Sequence, residues 1–339
     1  MARGLWLLLV SFGLSSCYSL KQAYWFNNAF NGRQAVQEAL QRSDITNEDR
    51  QKLQLSREVL GFAKQQGLNT GDSYQHFIPA GPGTQSHLVQ AAYPDRLEML
   101  TWWFPVVGRV PYLGFFDKAD RDAKALELQK EHDISLGTVG AFSSLGWFSD
   151  PIFASMLRRS DEDFIQMLLH ELVHRSFWSQ GSAVFNENLA EFVSLKLTEI
   201  YLRDLRGGRG LQAFLQYRQD REKLRQWIVA LKEALRQVYA RQDLDREAKL
   251  KEKASIIELY RQQHFPKVES IDVQSAKHRD WNNASLLGAA LYAPDTERFE
   301  KALACLPVPD MRHFLQALQQ AERSHDKAEE SLDSLCKQS

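Results

Sequence analysis

The chain has 339 residues, 44% of them hydrophobic, and its 42 basic residues almost balance its 43 acidic ones. This length and apolar content suffice for one large domain or two smaller ones. Because the net charge is only −1, no long-range field attracts an anionic partner, and composition argues against nucleic acid as a ligand.

The first residues have the layout of a secretory signal. Arg3 precedes an apolar run over residues 5–14, too short to span a bilayer, and "LSSC" leads to Cys17. This ending resembles the lipobox of bacterial lipoproteins; the alternatives are an ordinary signal peptide with a chance cysteine, or a buried first strand. We predict a signal peptide over residues 1–16 and a lipid anchor at Cys17. Since Tyr18 follows instead of aspartate, the resemblance implies the outer membrane, facing the periplasm.

Helical and strand-like patterns then alternate. Residues 22–66 have helical spacing and predict two or three helices that end at Gly67. Residues 87–116 are aromatic and β-branched with Pro and Gly between short runs, which predicts strands of a small sheet. A helical segment, "DKADRDAKALELQKEHD", and a strand, "ISLGTVGAF", follow. The chain is predicted to be helical from residue 211 to 264, with a turn near "RQDLD".

These patterns predict an α+β fold that is predominantly helical. A small N-terminal sheet is expected to pack on a helix that carries the active site, with a helical C-terminal region after it. We predict one domain over residues 17–339, with three consecutive parts: an N-terminal helical part (20–85), the sheet and active-site helices (86–206), and a helical hairpin with the C-terminal helices (207–339).

The segment "MLLHELVHRSFW" contains the pattern H-E-x-x-H. On a helix, His170 and His174 lie one turn apart on one face, so both imidazoles can reach a single zinc ion. Glu171 lies about 100° around the helix from His170, where it can take a proton from bound water without ligating the metal. Ser160 is the predicted N-cap and Gly181 the predicted C-terminal stop. The alternative is an amphipathic helix whose histidines have structural partners.

A third ligand is expected from the next segment, "FNENLAEFVSLKLTEIYLRDLRGG", which has helical spacing and ends at Gly-Gly. Glu187 and Glu191 are four residues apart and share a face. Catalytic zinc takes three protein ligands, and two His with one Glu is a known set. A metal-bound imidazole also favours a carboxylate on its other nitrogen. One glutamate as ligand and one behind a histidine would use both; two solvated glutamates are the alternative.

The stretch "NENLAE" resembles the N-E-x-x-S/A-D/E pattern of gluzincins, the thermolysin-like metallopeptidases. The resemblance implies that Glu187 is the third zinc ligand and that Glu191 orients His170. From about residue 20 to 320 the chain also resembles the bacterial "predicted aminopeptidase" lipoprotein family, through "TWWFPVVGRVPYLGFF", "AFSSLGWFSDP", "HELVH", "FNENLAEFV" and "WNNASLL". Gly181 and Ser182 stand where members of that family tend to carry an aspartate.

The resemblance implies a zinc-dependent aminopeptidase that hydrolyses peptide bonds in the bacterial cell envelope, with one zinc ion and Glu171 as general base. The residues leave exopeptidase activity open, because Gly137 to Asp150 lacks the G-x-M-E-N strand of many gluzincin aminopeptidases. Residues 137–142 could still be an edge strand that pairs with substrate. Asp150 could bind an amine or cap the turn before Pro151. A metallo-endopeptidase and a non-catalytic envelope binding lipoprotein are the alternatives.

Several residues have two possible roles at this stage. By residue type, four side chains could stabilise the oxyanion of a peptidase: Tyr112, Tyr201, His278 and Tyr292. The segment "WNNASLL" either supplies polar contacts to the site or starts a helix. Cys305 and Cys336 either pair in an oxidising compartment or are free thiols.

Overall fold

The structure, a computed structural model, describes residues 21, 24–25, 27–28, 30–81, 84–104, 108–139, 150–180, 182–291, 296–325 and 327–337. Within them the chain has the predicted α+β fold and is predominantly helical. The signal peptide and Cys17 lie outside these residues. No helix in this described part is long and apolar enough to cross a membrane.

The N-terminal part contains a short strand and two helices. They are β1 (Gln34–Ala35), α1 (Val36–Gln41) and α2 (Asn47–Gln65). The side chain of Thr46 accepts the N–H of Asp49 and so caps the start of α2. Past its end, Gly67 has a φ of 87°, the left-handed conformation that closes many helices, as the sequence predicted.

Together with β1, the remaining strands form two three-stranded sheets and one hairpin instead of a single small sheet. The elements are β2 (His76–Ile78), β3 (Ser86–Ala92), β4 (Trp102–Phe104), β5 (Gly108–Val110), β6 (Leu113–Phe115), α3 (Lys118–Leu128), β7 (Asp133–Val139) and β8 (Ile152–Phe153). The sheet orders are β1-β2-β8 and β6-β3-β7, with β4 and β5 paired separately. In the second sheet β3 pairs antiparallel with both neighbours.

Two consecutive helices carry the H-E-x-x-H and N-E-N-L-A-E segments. They are α4 (Asp161–Ser176) and α5 (Ala183–Ile200), and a π-helical turn (Tyr201–Leu205) continues α5. Ser160 caps α4 by accepting the N–H of Asp163, as predicted. The predicted stop at Gly181 is wrong, because α4 already ends at Ser176: Phe177 turns to an extended conformation and buries its ring in the core. Gly181 itself lies outside the described residues.

The C-terminal part is helical, as predicted. Its elements are α6 (Leu211–Ala240), α7 (Arg246–Gln263), α8 (Ile271–Ser275), a 3₁₀ turn (Ala276–His278), α9 (Asn283–Leu291), α10 (Glu297–Ala304), α11 (Met311–Glu322) and α12 (Ala328–Ser334). Helices α6 and α7 form the expected hairpin with its turn at "RQDLD". Cys305 and Cys336 form a disulfide that joins the end of α10 to the residues after α12.

The largest apolar core surrounds α4 and α5. Both helices contribute fully buried side chains, and α2, the first sheet and helices α10 to α12 pack around them. Representative members are Leu53, Ile152, Leu168, Leu172, Leu189, Val193 and Phe314. Because this packing holds the apolar faces of both helices, it also determines how their polar faces meet.

The "WNNASLL" segment starts a helix and joins it to the second sheet. The Asn282 side chain accepts the N–H of Ser285 at 3.0 Å, which caps α9, and its amide donates to the Ile134 carbonyl at 3.0 Å. The buried Asn283 amide donates to the Tyr93 carbonyl at 2.8 Å. These contacts are structural, so the helix-start interpretation of the motif is the one that the structure supports.

Candidate metal centre

The candidate centre lies where the polar faces of α4 and α5 meet. His170 and His174 project from α4, and Glu187 and Glu191 project from α5. The turn between the two helices is held by Asn186, whose side chain both accepts the N–H of Ser179, at 2.9 Å, and donates to its carbonyl, at 2.8 Å. Sequence reasoning missed this role of Asn186, which only its position opposite the turn reveals.

Three side chains bring their ligand atoms together at this point. The Nε2 atoms of His170 and His174 are 3.2 Å apart, and each lies 3.4 Å from a carboxylate oxygen of Glu187. Around a tetrahedral zinc ion with ligand distances of about 2.0–2.1 Å, neighbouring donor atoms are about 3.3 Å apart. The donor set and its spacing therefore fit zinc, and among the described residues this is the group of three that could hold a metal ion.

Glu191 lies behind His170 and contacts its other ring nitrogen. Its Oε2 is 3.6 Å from His170 Nδ1, and it also accepts a hydrogen bond from the Gln166 amide at 3.2 Å. Arg221, from α6, donates to the second carboxylate oxygen at 3.4 Å. A carboxylate in this position orients an imidazole for metal binding. Gln166 precedes His170 by one helical turn, so helical spacing could have identified it, whereas nothing in the sequence placed Arg221 here.

Without a metal these groups are strongly coupled through charge. Burial opposes a positive charge on His170, but hydrogen bonds to Glu187 and Glu191 outweigh it and raise the pKa of that imidazole to about 10. Burial acts in the opposite direction on Glu187, yet its contacts with the two histidines lower the pKa of its carboxyl well below the ordinary value. The carboxylates of Glu187 and Glu191 therefore place negative charge beside His170, where a cation can bind.

Glu171 is placed beside this centre, outside the three-residue ligand group. Its Oε2 atom is buried and has no hydrogen-bond partner among the described residues. Most buried carboxylate oxygens have such a partner. This buried oxygen therefore requires a partner that the described side chains do not supply.

The four side chains that the sequence offered for oxyanion stabilisation differ in their surroundings. Burial raises the pKa of the Tyr112 phenol, and the charge of Glu187 raises it further, so Tyr112 lies within electrostatic reach of one residue of the ligand group. The hydroxyl of Tyr201 instead donates to Glu58 at 3.2 Å. His278 is exposed in its 3₁₀ turn, and Tyr292 lies outside the described residues. The sequence could not show which of the four side chains lies nearest the candidate metal ligands, because position along the chain does not give distance in the fold.

Exposed apolar side chains flank the same ligands. The Trp178 ring meets the His174 ring edge to face with centroids 5.7 Å apart, and 40% of this residue is exposed. Val184 is 72% exposed and lies nearly one turn before Glu187 on α5. Trp178 is thus an exposed apolar side chain in contact with a residue of the ligand group.

The expected edge strand is present in part. Strand β7 ends at Val139 and has β3 on one side only, with no second strand beside it among the described residues. Residues 140–142 lie outside them. Asp150 is buried, and its carbonyl accepts the N–H of Tyr74 at 2.6 Å, so its backbone has a structural role.

Comparisons with known proteins were made on the whole chain. Residues 17–332 match a family model described as "Putative aminopeptidase". The match begins at Cys17 and includes both helices of the candidate centre. None of the curated proteins and none of the solved structures matches the chain.

Proposed function

The chain belongs to the aminopeptidase family whose model it matches, and from this premise we propose that it is a zinc-dependent aminopeptidase of the bacterial cell envelope. The observation that carries the zinc assignment is the convergence of ligand atoms from His170, His174 and Glu187 at 3.2–3.4 Å. The substrate is a peptide or protein with a free amino terminus. The gluzincin-like arrangement of both motifs supports the same reaction.

The protein residues prepare the site for one ion. His170, His174 and Glu187 would hold zinc, and Glu191 would keep the His170 ring in its orientation through Nδ1. When bound, zinc supplies an activated water and polarises the substrate carbonyl. This set leaves a coordination position for water, as catalytic zinc sites do.

Glu171 is proposed to transfer the proton. Its carboxylate accepts a proton from the attacking water and then donates it to the amine that leaves when the peptide bond breaks. Its position on α4 directly after His170, outside the ligand group, supports this role, because the carboxylate can reach the attacking water without ligating the ion. Tyr112 is proposed to donate a hydrogen bond to the carbonyl oxygen as negative charge develops there.

The decisive test compares Glu171→Gln with the wild-type enzyme. Glutamine keeps the volume but cannot accept the proton, so turnover of peptide substrates should fall by roughly 10²–10⁴-fold. Zinc content and thermal unfolding should stay unchanged. Glu162→Gln, in the first turn of the same helix, is the matched control and should keep full activity. Near-wild-type turnover by zinc-loaded Glu171→Gln would show that Glu171 is not the general base. The HELVH segment would then bind the metal without taking part in catalysis.

Exopeptidase activity is proposed from the family, and a metallo-endopeptidase with the same residues is the second candidate. Peptides with free and acetylated amino termini separate the two. An aminopeptidase should cleave only the free peptide, since it must bind the terminal amine. Equal cleavage of both peptides would identify an endopeptidase.

We also propose that the chain is attached to the outer membrane through lipid on Cys17 and faces the periplasm. The Cys305–Cys336 disulfide supports an oxidising compartment, and the family match begins at Cys17. Mass analysis of the mature amino terminus should find acyl groups on Cys17, and Cys17→Ser should release an active soluble form. An unmodified amino terminus at another residue would contradict the anchor.

A further inference from the structure

Tyr74 has an uncommon backbone conformation next to the candidate centre. Its φ is 62°, and among the described residues it is the one non-glycine residue with positive φ. A bulky side chain costs free energy in this left-handed region, so the surrounding structure must impose the conformation. The hydrogen bond from the Tyr74 N–H to the Asp150 carbonyl contributes to this constraint.

The loop that carries Tyr74 is attached to the end of α4. The Asn69 N–H donates to Ser176 Oγ at 2.8 Å, and Arg175 donates to Ser73 Oγ at 3.4 Å. At Gly71, with φ 44°, a Cβ atom would lie 2.1 Å from the Arg175 guanidinium, so only glycine allows this close approach. The loop is thereby held against the same helix that carries Glu171.

The Tyr74 side chain is buried next to the face of α4 that carries Glu171, because Ser73, the preceding residue, accepts a hydrogen bond from Arg175, one helical turn after Glu171. The residue is 1% exposed, and its hydroxyl has no hydrogen-bond partner among the described residues. Burial raises the pKa of this phenol well above its ordinary value, and the charges of Glu171 and Asp150 raise it further. The phenol therefore stays protonated, keeps a proton to donate and lies within electrostatic reach of both carboxylates.

Two buried polar atoms without described partners thus occur in the same region, the Tyr74 hydroxyl and Glu171 Oε2. Buried polar atoms are nearly always hydrogen-bonded to protein or to ordered water. A buried water typically makes about three hydrogen bonds, and the Tyr74 hydroxyl and Glu171 Oε2 are two groups that one water could join. Separations too long for a direct hydrogen bond are commonly bridged in this way.

We propose that Tyr74 is a positioning residue for Glu171, and that its hydroxyl donates through one buried water to the Glu171 carboxylate. A donor held by a rigid loop would fix the rotamer of this carboxylate and aim its other oxygen at the reacting water. The inference rests on the proposed function, because it assigns Glu171 the role of general base. It explains why the chain keeps a tyrosine in a costly conformation at this position.

The test measures Tyr74→Phe in two backgrounds. In the wild-type background kcat should fall about tenfold with KM and zinc content unchanged, the effect of one hydrogen bond to a charged group. In the Glu171→Gln background the same substitution should have no effect on kcat, since the group being oriented is no longer a base. Tyr201→Phe is the matched control: it removes a buried hydroxyl that contacts Glu58, and should leave kcat unchanged. An unchanged kcat in the wild-type background, or the same fall in both backgrounds, would overturn the proposal.

Thermal unfolding of the metal-free protein provides a readout that does not require activity. If the hydroxyl is hydrogen-bonded toward Glu171, Tyr74→Phe should lower Tm; an equal or higher Tm would show that the hydroxyl makes no such bond and would overturn the proposal. An inactive wild-type protein, or an active Glu171→Gln, would refute the proposed function alone. The change in Tm would still decide the contact between Tyr74 and Glu171.

Discussion

Among the described residues, the metal centre and a second polar cluster differ in where their atoms point. In the metal centre, ligand atoms of His170, His174 and Glu187 converge on one another. In the second cluster, at the junction of β7, α7 and α9, Asn283 donates to the carbonyls of Tyr93 and Arg96 and accepts from Tyr239.

The same contrast holds for the charged members of the second cluster. Lys253 forms a salt bridge with Asp133 and donates to the Pro94 carbonyl at 3.0 Å. Asp133 also accepts the N–H of Asn283 at 2.7 Å. Each of these side chains bonds to a partner within the chain. The cluster therefore attaches the α6–α7 hairpin to the second sheet. Side chains whose ligand atoms converge indicate a binding or catalytic site. Side chains that pair with backbone groups indicate a structural role.

We expect the largest effect when a candidate metal ligand is removed. His170→Ala, His174→Ala and Glu187→Ala should each abolish zinc retention, because a site with two ligands loses most of its affinity. The metal-free protein should keep its fold, since the apolar faces of α4 and α5 stay packed. Metal analysis and circular dichroism check both expectations. Full zinc occupancy in Glu187→Ala would reject that assignment and make Glu191 the third ligand.

Removing the centre of the second cluster should have the opposite consequence. Asn283→Ala leaves two carbonyls and the Tyr239 hydroxyl without their partner, which should cost roughly 3 kcal/mol of unfolding free energy. Zinc content, and turnover at a temperature where the variant is folded, should not change. Denaturant unfolding measures the loss, with the exposed Asn47→Ala as control. Loss of zinc by a folded Asn283→Ala would show that the two clusters are coupled.

Glu191 has features of both clusters. It belongs to the metal centre, and Gln166 and Arg221 also donate hydrogen bonds to its carboxylate. Glu191→Ala should weaken zinc affinity by about 10–100-fold, since the His170 ring loses its orienting partner. Competition with a chelator measures the affinity. An unchanged affinity would mean that the carboxylate behind His170 contributes nothing to metal binding.

The last prediction concerns pH. The pKa of His170 in the metal-free protein is raised from 6.5 to about 10, so its imidazole is protonated at neutral pH. Zinc binds the neutral ring and must displace that proton, and affinity should therefore rise about tenfold per unit between about pH 7 and pH 9. Calorimetry in buffers of different ionisation enthalpy should find about one proton released per zinc ion. A pH-independent affinity over this range would contradict the charge coupling between His170 and its two glutamates.

Part of the site could be predicted because it depends on local spacing. The i, i+4 pairs His170 with His174 and Glu187 with Glu191 needed only helical geometry. Gln166 follows the same periodicity and was available to the same reasoning. The helix stop was mispredicted because Gly181 is a good terminator by residue type, whereas burial of the Phe177 ring ends α4 earlier.

Periodicity and residue type were enough to predict the predominantly helical α+β class, the faces of α4 and α5 and the chemical types of the candidate metal ligands. These follow from backbone periodicity and side-chain chemistry, both of which act over a few neighbouring residues. Tertiary structure alone decided that Arg221 contacts Glu191 and that the Tyr201 hydroxyl contacts Glu58. It also decided that Tyr112 lies within reach of the charge of Glu187. Those positions depend on how elements far apart in the chain pack, and a close-packed core sets such distances through all its contacts together.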